Sequence, residues 1–151
     1  MSELKDRLKN DLTTAIKARD KVRTSTLRMV LAAISTEEAA GSTHRSLGDD
    51  EVTKLLIREA KKRREAAQAF EQGGRTDKAE AELAESEILS EYLPKQLTDD
   101  ELAELVTAAI GETGAVGPKA MGQVMKAVNP RVGGRAEGSR VAAEVKKQLS
   151  A

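Results

Sequence analysis

Phosphate is held by guanidinium and ammonium groups, by free amides at a helix start, and by glycines that let backbone approach. The last third of this 151-residue chain supplies all three. Lys119, Lys126, Arg131, Arg135 and Arg140 surround the pair Gly133-Gly134, and a helical pattern restarts just beyond it. Neither glycine presents a side chain, so the backbone there can come close to a phosphate. Arg135 has two readings. Its planar fork can take phosphate through two parallel hydrogen bonds, or it can bond the carbonyls that end the preceding helix. A secondary basic cluster is the run Lys61-Lys62-Arg63-Arg64.

Bond-making chemistry finds less to work with. The chain has no cysteine, which removes thiolate nucleophiles, thiolate metal ligands and disulfides. No serine lies in a Gly-x-Ser-x-Gly turn, and Ser35 and Ser86 fall inside helical patterns. The one histidine, His44, sits in a polar stretch and reads as a surface residue. The segment Gly114–Lys119 is too short and wrongly spaced for a phosphate-cradling loop. No catalytic residue, no cofactor and no metal site is therefore expected. Met121 and Met125 share a helix face and read as core.

The formal net charge is zero, but the charges are segregated. Residues 76–112 hold eleven acidic and two basic residues, a net of −9. Residues 52–75 hold seven basic and three acidic, a net of +4, and residues 118–151 hold seven basic and two acidic, a net of +5. Either the acidic and basic helices neutralise each other across a bundle, or a basic surface is left to meet phosphate.

The positioning elements are helices. Ala, Glu, Lys, Leu and Arg dominate, aromatics are 1%, and no stretch alternates with period two. Ser2 can cap a first helix with the stripe Leu4, Leu8, Leu12, Ile16. A second carries Val22, Leu27, Val30, Leu31 and Ile34 and stops near Gly41, before a polar loop to Gly48. A third runs through Leu55, Leu56, Ala60 and Ala67 to Gly73-Gly74, and a fourth, with Thr76 as cap, carries Ala79, Leu83, Ile88 and Leu89. Leu47-Gly48-Asp49-Asp50-Glu51 and Leu97-Thr98-Asp99-Asp100-Glu101 read as two copies of one helix start, with acids favoured by the dipole.

A hinge divides this array. Pro94 disfavours α geometry at Leu93, so the fourth helix should stop near Tyr92, and Thr98 and Glu101 stand in capping-box spacing before the fifth. The expected architecture is all-α, with an N-terminal helical bundle of about four helices over 1–93 and a compact three-helix C-terminal subdomain over 94–151. Tyr92 and Phe70, the only large aromatics, should pack where helices meet. In the second part, Gly114 ends the fifth helix, Gly117-Pro118 opens the sixth, and Asn129-Pro130 ends it. No apolar run approaches the roughly 20 residues that span a bilayer, and the charged first residues lack a signal-peptide core, so a soluble cytoplasmic protein is expected.

Several ordered motifs carry a family resemblance. They are Leu27-Arg28-Met29-Val30, Gly74-Arg75, Glu87-Ile88-Leu89, Tyr92-Leu93-Pro94-Lys95-Gln96-Leu97, Met121-Gly122-Gln123-Val124-Met125 and Gly134-Arg135-Ala136-Glu137-Gly138. Together they resemble the GatB/YqeY family over essentially the whole chain, in its stand-alone form. One departure is Glu137, where the family usually has Asp. The related domain is the tail of the B subunit of the tRNA-dependent amidotransferase, which converts misacylated Glu-tRNA or Asp-tRNA to the amide with glutamine as nitrogen donor. The resemblance implies a helical bundle with a three-helix tail and a link to tRNA. The carbon–nitrogen ligase label of such families describes the complete amidotransferase. With no catalytic residue to be found, the link to tRNA points to a non-catalytic module whose partner is tRNA or another structured RNA, and the basic tail read above offers Lys119, Lys126, Arg131, Gly133, Gly134, Arg135 and Arg140 as contacts. The alternative is an adaptor that docks on a protein partner in translation or tRNA amidation without touching RNA. With almost no aromatics for base stacking, RNA binding would be mainly electrostatic.

Overall fold

The computed structural model describes residues 2–151, which form seven α-helices and one short 3-10 turn, with no strand among them. They divide into two compact units, one ending at Leu93 and one spanning Pro94–Ala151.

The first unit holds α1 (Glu3–Lys17), α2 (Lys21–Glu38), α3 (Asp49–Gln72) and α4 (Thr76–Ser90). The Ser2 hydroxyl accepts from the Lys5 amide at 3.0 Å and caps α1. The expected stripe on α1 drifts. Steps of four residues rotate by about 40° each, so Ile16 has turned away from Leu8 and is 46% exposed, while Ala15 is buried in its place. Val22 and Leu83 are likewise exposed rather than core. Asp20 caps α2 by accepting from the Arg23 amide at 3.1 Å. The core gathers Leu8, Leu27, Val30, Ile34, Val52, Leu55, Leu56, Leu89 and Tyr92. The turn between α3 and α4 uses Gly74 at φ +76°, a conformation that glycine adopts without a Cβ penalty. Thr76 is the first residue of α4 rather than its cap. Arg75 holds the cap position, with no side-chain bond there, and its amide donates to the Phe70 carbonyl at 2.7 Å. Phe70 is half-buried, with the Lys78 ammonium 5.6 Å from its ring centroid.

Buried charge fixes this unit internally. Glu38 is 3% exposed, accepts from Lys5 Nζ at 2.8 Å and from the Leu47 amide at 3.0 Å, and so ties the loop before α3 to α1 and α2. Those two donors hold its carboxyl below the usual range. Tyr92 donates its hydroxyl to Asp11 at 2.5 Å, under the Arg7 guanidinium at 4.5 Å from the ring centroid. Burial and the Asp11 carboxylate push the Tyr92 phenol far up, so it stays protonated.

The second unit holds α5 (Asp99–Thr113), α6 (Met121–Val132) and α7 (Gly138–Leu149). Both bonds of the capping box are made: the Glu101 amide donates to Thr98 Oγ1 at 3.1 Å, and the Thr98 amide donates to Glu101 Oε1 at 3.0 Å. Pro118–Ala120 form a 3-10 turn before α6. That helix continues through Pro130 and ends two residues later. One amide is missing, but Val132 is 4% exposed, so its burial favours the last turn, and Gly133 closes it at φ +55°. The core is Val106, Val124, Val128, Val132, Val141 and Val145 with Leu97, Leu102, Ala109 and Leu149. Met121 and Met125 pack against its edge.

Candidate nucleic-acid interface

The expected phosphate contacts fall into two groups. The three arginines are occupied within the second unit. Arg135 donates from Nε to the Val132 carbonyl at 3.1 Å and from Nη2 to the Arg131 carbonyl at 2.8 Å. Of its two readings, the geometry forms the one that satisfies the carbonyls ending α6. Its own carbonyl accepts from the Leu97 amide at 2.7 Å. Arg140 donates to the Leu97 carbonyl at 3.0 Å and to Asp99 Oδ1 at 2.9 Å. Arg131 pairs with Glu112. The turn at Gly133-Gly134 is thus stitched to the segment before α5, with Gln96 Nε2 reaching the Gly134 carbonyl at 3.4 Å.

The lysines are different. Lys119 and Lys126 are exposed, and neither has an ion-pair partner among the described residues. Lys146 and Lys147 in the last turn of α7 are also exposed and unpaired, and the sequence reading had not singled them out. The acids of the same unit are largely engaged: Glu101 in the capping box, Asp99 with Arg140, Glu112 with Arg131. The Thr98 amide and hydroxyl draw the Glu101 carboxyl below its usual range. A groove lined by Asp99, Leu102, Arg140, Ala143, Glu144 and Lys147 mixes both signs of charge and does not form a phosphate cradle.

The secondary cluster disperses around α3. Arg63 is 7% exposed and reaches Glu59 at 2.7 Å and Glu85 on α4 at 3.1 Å. Lys62 lies 3.5 Å from Glu59, Lys61 lies 3.9 Å from Glu65, and Arg64 is engaged as well. The mechanism is helical geometry: four consecutive residues point in four directions about 100° apart. Tyr92 lies in the core of the first unit, Pro94 at the first position of the second, and Thr98 at the α5 cap. His44 is exposed in the loop after α2. No group of three or more His, Cys, Asp or Glu side chains that could hold a metal ion occurs among the described residues, and no helix among them is long and apolar enough to cross a membrane.

Two comparisons bear on these surfaces. The family model described as Yqey-like protein matches residues 5–149. A protein of Clavispora lusitaniae, named altered inheritance of mitochondria protein 41, mitochondrial, is 31% identical over 125 residues, covering 81% of this chain and 72% of that protein.

Proposed function

Because the chain belongs to the Yqey-like protein family, a family that resembles the tail of the amidotransferase B subunit, we propose that it is a non-catalytic module that binds tRNA or another structured RNA and serves glutamine-dependent tRNA amidation or translation. What carries the reading is the set of exposed, unpaired ammonium groups of the second unit, Lys119, Lys126, Lys146 and Lys147, in a unit where Glu101, Asp99 and Glu112 are drawn into a cap and arginine pairs. Ammonium groups act as point charges on phosphate, and association of this kind is electrostatic, shape-directed and salt-sensitive. The arginines contribute by shaping the turn rather than by touching RNA. The reading fits a cytoplasmic protein as well as a mitochondrial one, the compartment in the relative's name.

A second reading is an adaptor that docks on a protein of the same machinery. Val116 favours it: this valine is 88% exposed, between Gly114 and Gly117, both at positive φ. A tRNA mobility shift at two salt concentrations separates the two. Lys119→Gln with Lys126→Gln should weaken binding to all tRNAs alike and reduce the salt slope by roughly two, one per lost contact. Arg135→Ala should leave that slope unchanged. If the lysine variant binds with wild-type affinity and slope, the second unit is not the RNA surface, and the adaptor reading takes its place.

A further inference from the structure

The corner between α1 and α2 breaks two local rules at once. α1 ends with Arg19 at φ +58°, the only residue other than glycine at positive φ among those described. Its amide donates to the Ile16 carbonyl at 3.1 Å, and the Asp20 amide donates to the Ala15 carbonyl at 3.0 Å. This is the helix stop that normally places glycine at the left-handed position. An arginine there is strained, because its Cβ crowds the following carbonyl. The next helix then opens with Lys21 at its first position, a cation where the helix dipole prefers an acid, and Asp20 at the cap is the one acid there. Residues 17–28 carry five basic residues and one acid, Asp20, a net of +4. Asp20 and Arg23 are accounted for. Asp20 caps α2 and lies 3.6 Å from Arg23, and Arg23 makes a two-pronged pair with Glu91 at 2.6 and 3.2 Å.

What remains is a set of exposed cations at one corner. Ile16, Arg19, Lys21, Thr24 and Arg28 line one open cavity of about 280 Å³. Lys21, Thr24 and Arg28 recur at three and four residues, so they share a face of α2, and Arg19 enters from the end of α1. Arg19, Lys21 and Arg28 are exposed, and none has an ion-pair or hydrogen-bonding side-chain partner among the described residues. The motif Leu27-Arg28-Met29-Val30 now divides cleanly: Leu27 and Val30 are fully buried, whereas Arg28 lines the cavity. Packing accounts for the first pair and leaves Arg28 without a structural role. Departures from local preference that packing does not explain mark functional positions.

We propose that this corner is a phosphate-binding site, in which Arg19, Lys21, Arg28 and the Thr24 hydroxyl hold a backbone phosphate of structured RNA, with exposed Ile16 against the sugar. The assignment to RNA rests on the function proposed above; the assignment to phosphate does not. The lining has no aromatic ring to stack a base and no glycine-rich loop to wrap a di- or triphosphate, which favours a phosphodiester over a nucleotide.

The left-handed turn offers a clean test. Arg19→Gly removes the cation while suiting the backbone, so the melting temperature should hold or rise. Arg19→Gly combined with Arg28→Gln in the full chain should weaken tRNA binding and reduce the salt slope by roughly one, the single phosphate lost. Wild-type binding and slope in the folded double variant would overturn the RNA site while leaving the lysine surface of the second unit standing. A second arm titrates inorganic phosphate into the isotope-labelled chain and follows the amides of Arg19–Thr24. Saturable shifts lost in Arg19→Gly support a phosphate site whatever the fate of tRNA binding, and in a chain that binds no tRNA they make a free phosphate compound the ligand. Unmoved amides together with wild-type tRNA binding in the double variant overturn the site altogether.

Discussion

The two units use charge in opposite ways. All five buried polar or charged residues, Ser2, Thr26, Glu38, Arg63 and Ser86, belong to the first unit, and the second has none among the described residues. The first core is built largely on leucine and closed by Tyr92, with ion pairs beneath the surface. The second is dominated by valine, with its polar contacts at caps and rim. For Arg63 the difference follows from element length. A 24-residue helix such as α3 lies along α4, so a charge in its middle is covered and must be paired. Helices of 12 and 15 residues bury one narrow stripe, and their polar demands concentrate at the ends, where Thr98, Gly133 and Arg135 meet them. In the first unit charge is structural on the inside, and three of its spare cations gather at one corner. In the second it is structural at the turns and leaves lysines over the helix surface.

Removing a buried charge should test this most severely. Arg63→Ala leaves Glu59 and Glu85 without their partner and should cost about 3 kcal/mol in urea denaturation. Its neighbour variant Lys61→Ala should stay within about 0.5 kcal/mol. A loss below about 1 kcal/mol for Arg63→Ala would remove the distinction between the units.

Acid should act next, and unequally. In the first unit Lys5 and the Leu47 amide lower the Glu38 carboxyl, the Ser2 hydroxyl lowers Asp49, and Arg23 lowers Glu91. Burial pushes Glu59 up, but Arg63 and Lys62 outweigh it and leave it lowered. Glu101 is the counterpart in the second unit. A carboxyl lowered in the folded state stabilises the fold above its unfolded pKa, about 4.3 for glutamate, and that contribution is lost as pH falls through the folded value. Amide protection at Leu56 and Leu89 should therefore fall more between pH 6 and pH 3.5 than protection at Val124 and Val128. Equal losses would break the comparison.

The smallest effect belongs to a cap. Thr98→Ala removes the side-chain half of the capping box and should cost on the order of 1 kcal/mol in thermal denaturation, with the fold intact. The local loss should appear in protection of the first turn of α5 and leave α3 unchanged, which sharpens the claim that polar groups in the second unit act at helix ends.

By itself the sequence determined what depends on neighbours along the chain. The all-helical class, the Thr98–Glu101 box and the glycine stops are set by residues within a few positions of one another, where backbone geometry leaves few choices. Tertiary structure decided what depends on partners far along the chain. Arg63 reads as one of four surface cations until α4 brings Glu85 to it, and Arg135 is divided between phosphate and carbonyl until the end of α6 curls beneath its guanidinium. Ile16 belongs to a stripe of four until helical drift rotates it outward, and Pro130 ends a helix until burial of Val132 carries the last turn past it. The cations at Arg19, Lys21 and Arg28 were each visible as residues, but their shared cavity was not. A left-handed arginine has no signature in the sequence, because the local preference of any residue with a Cβ is for negative φ.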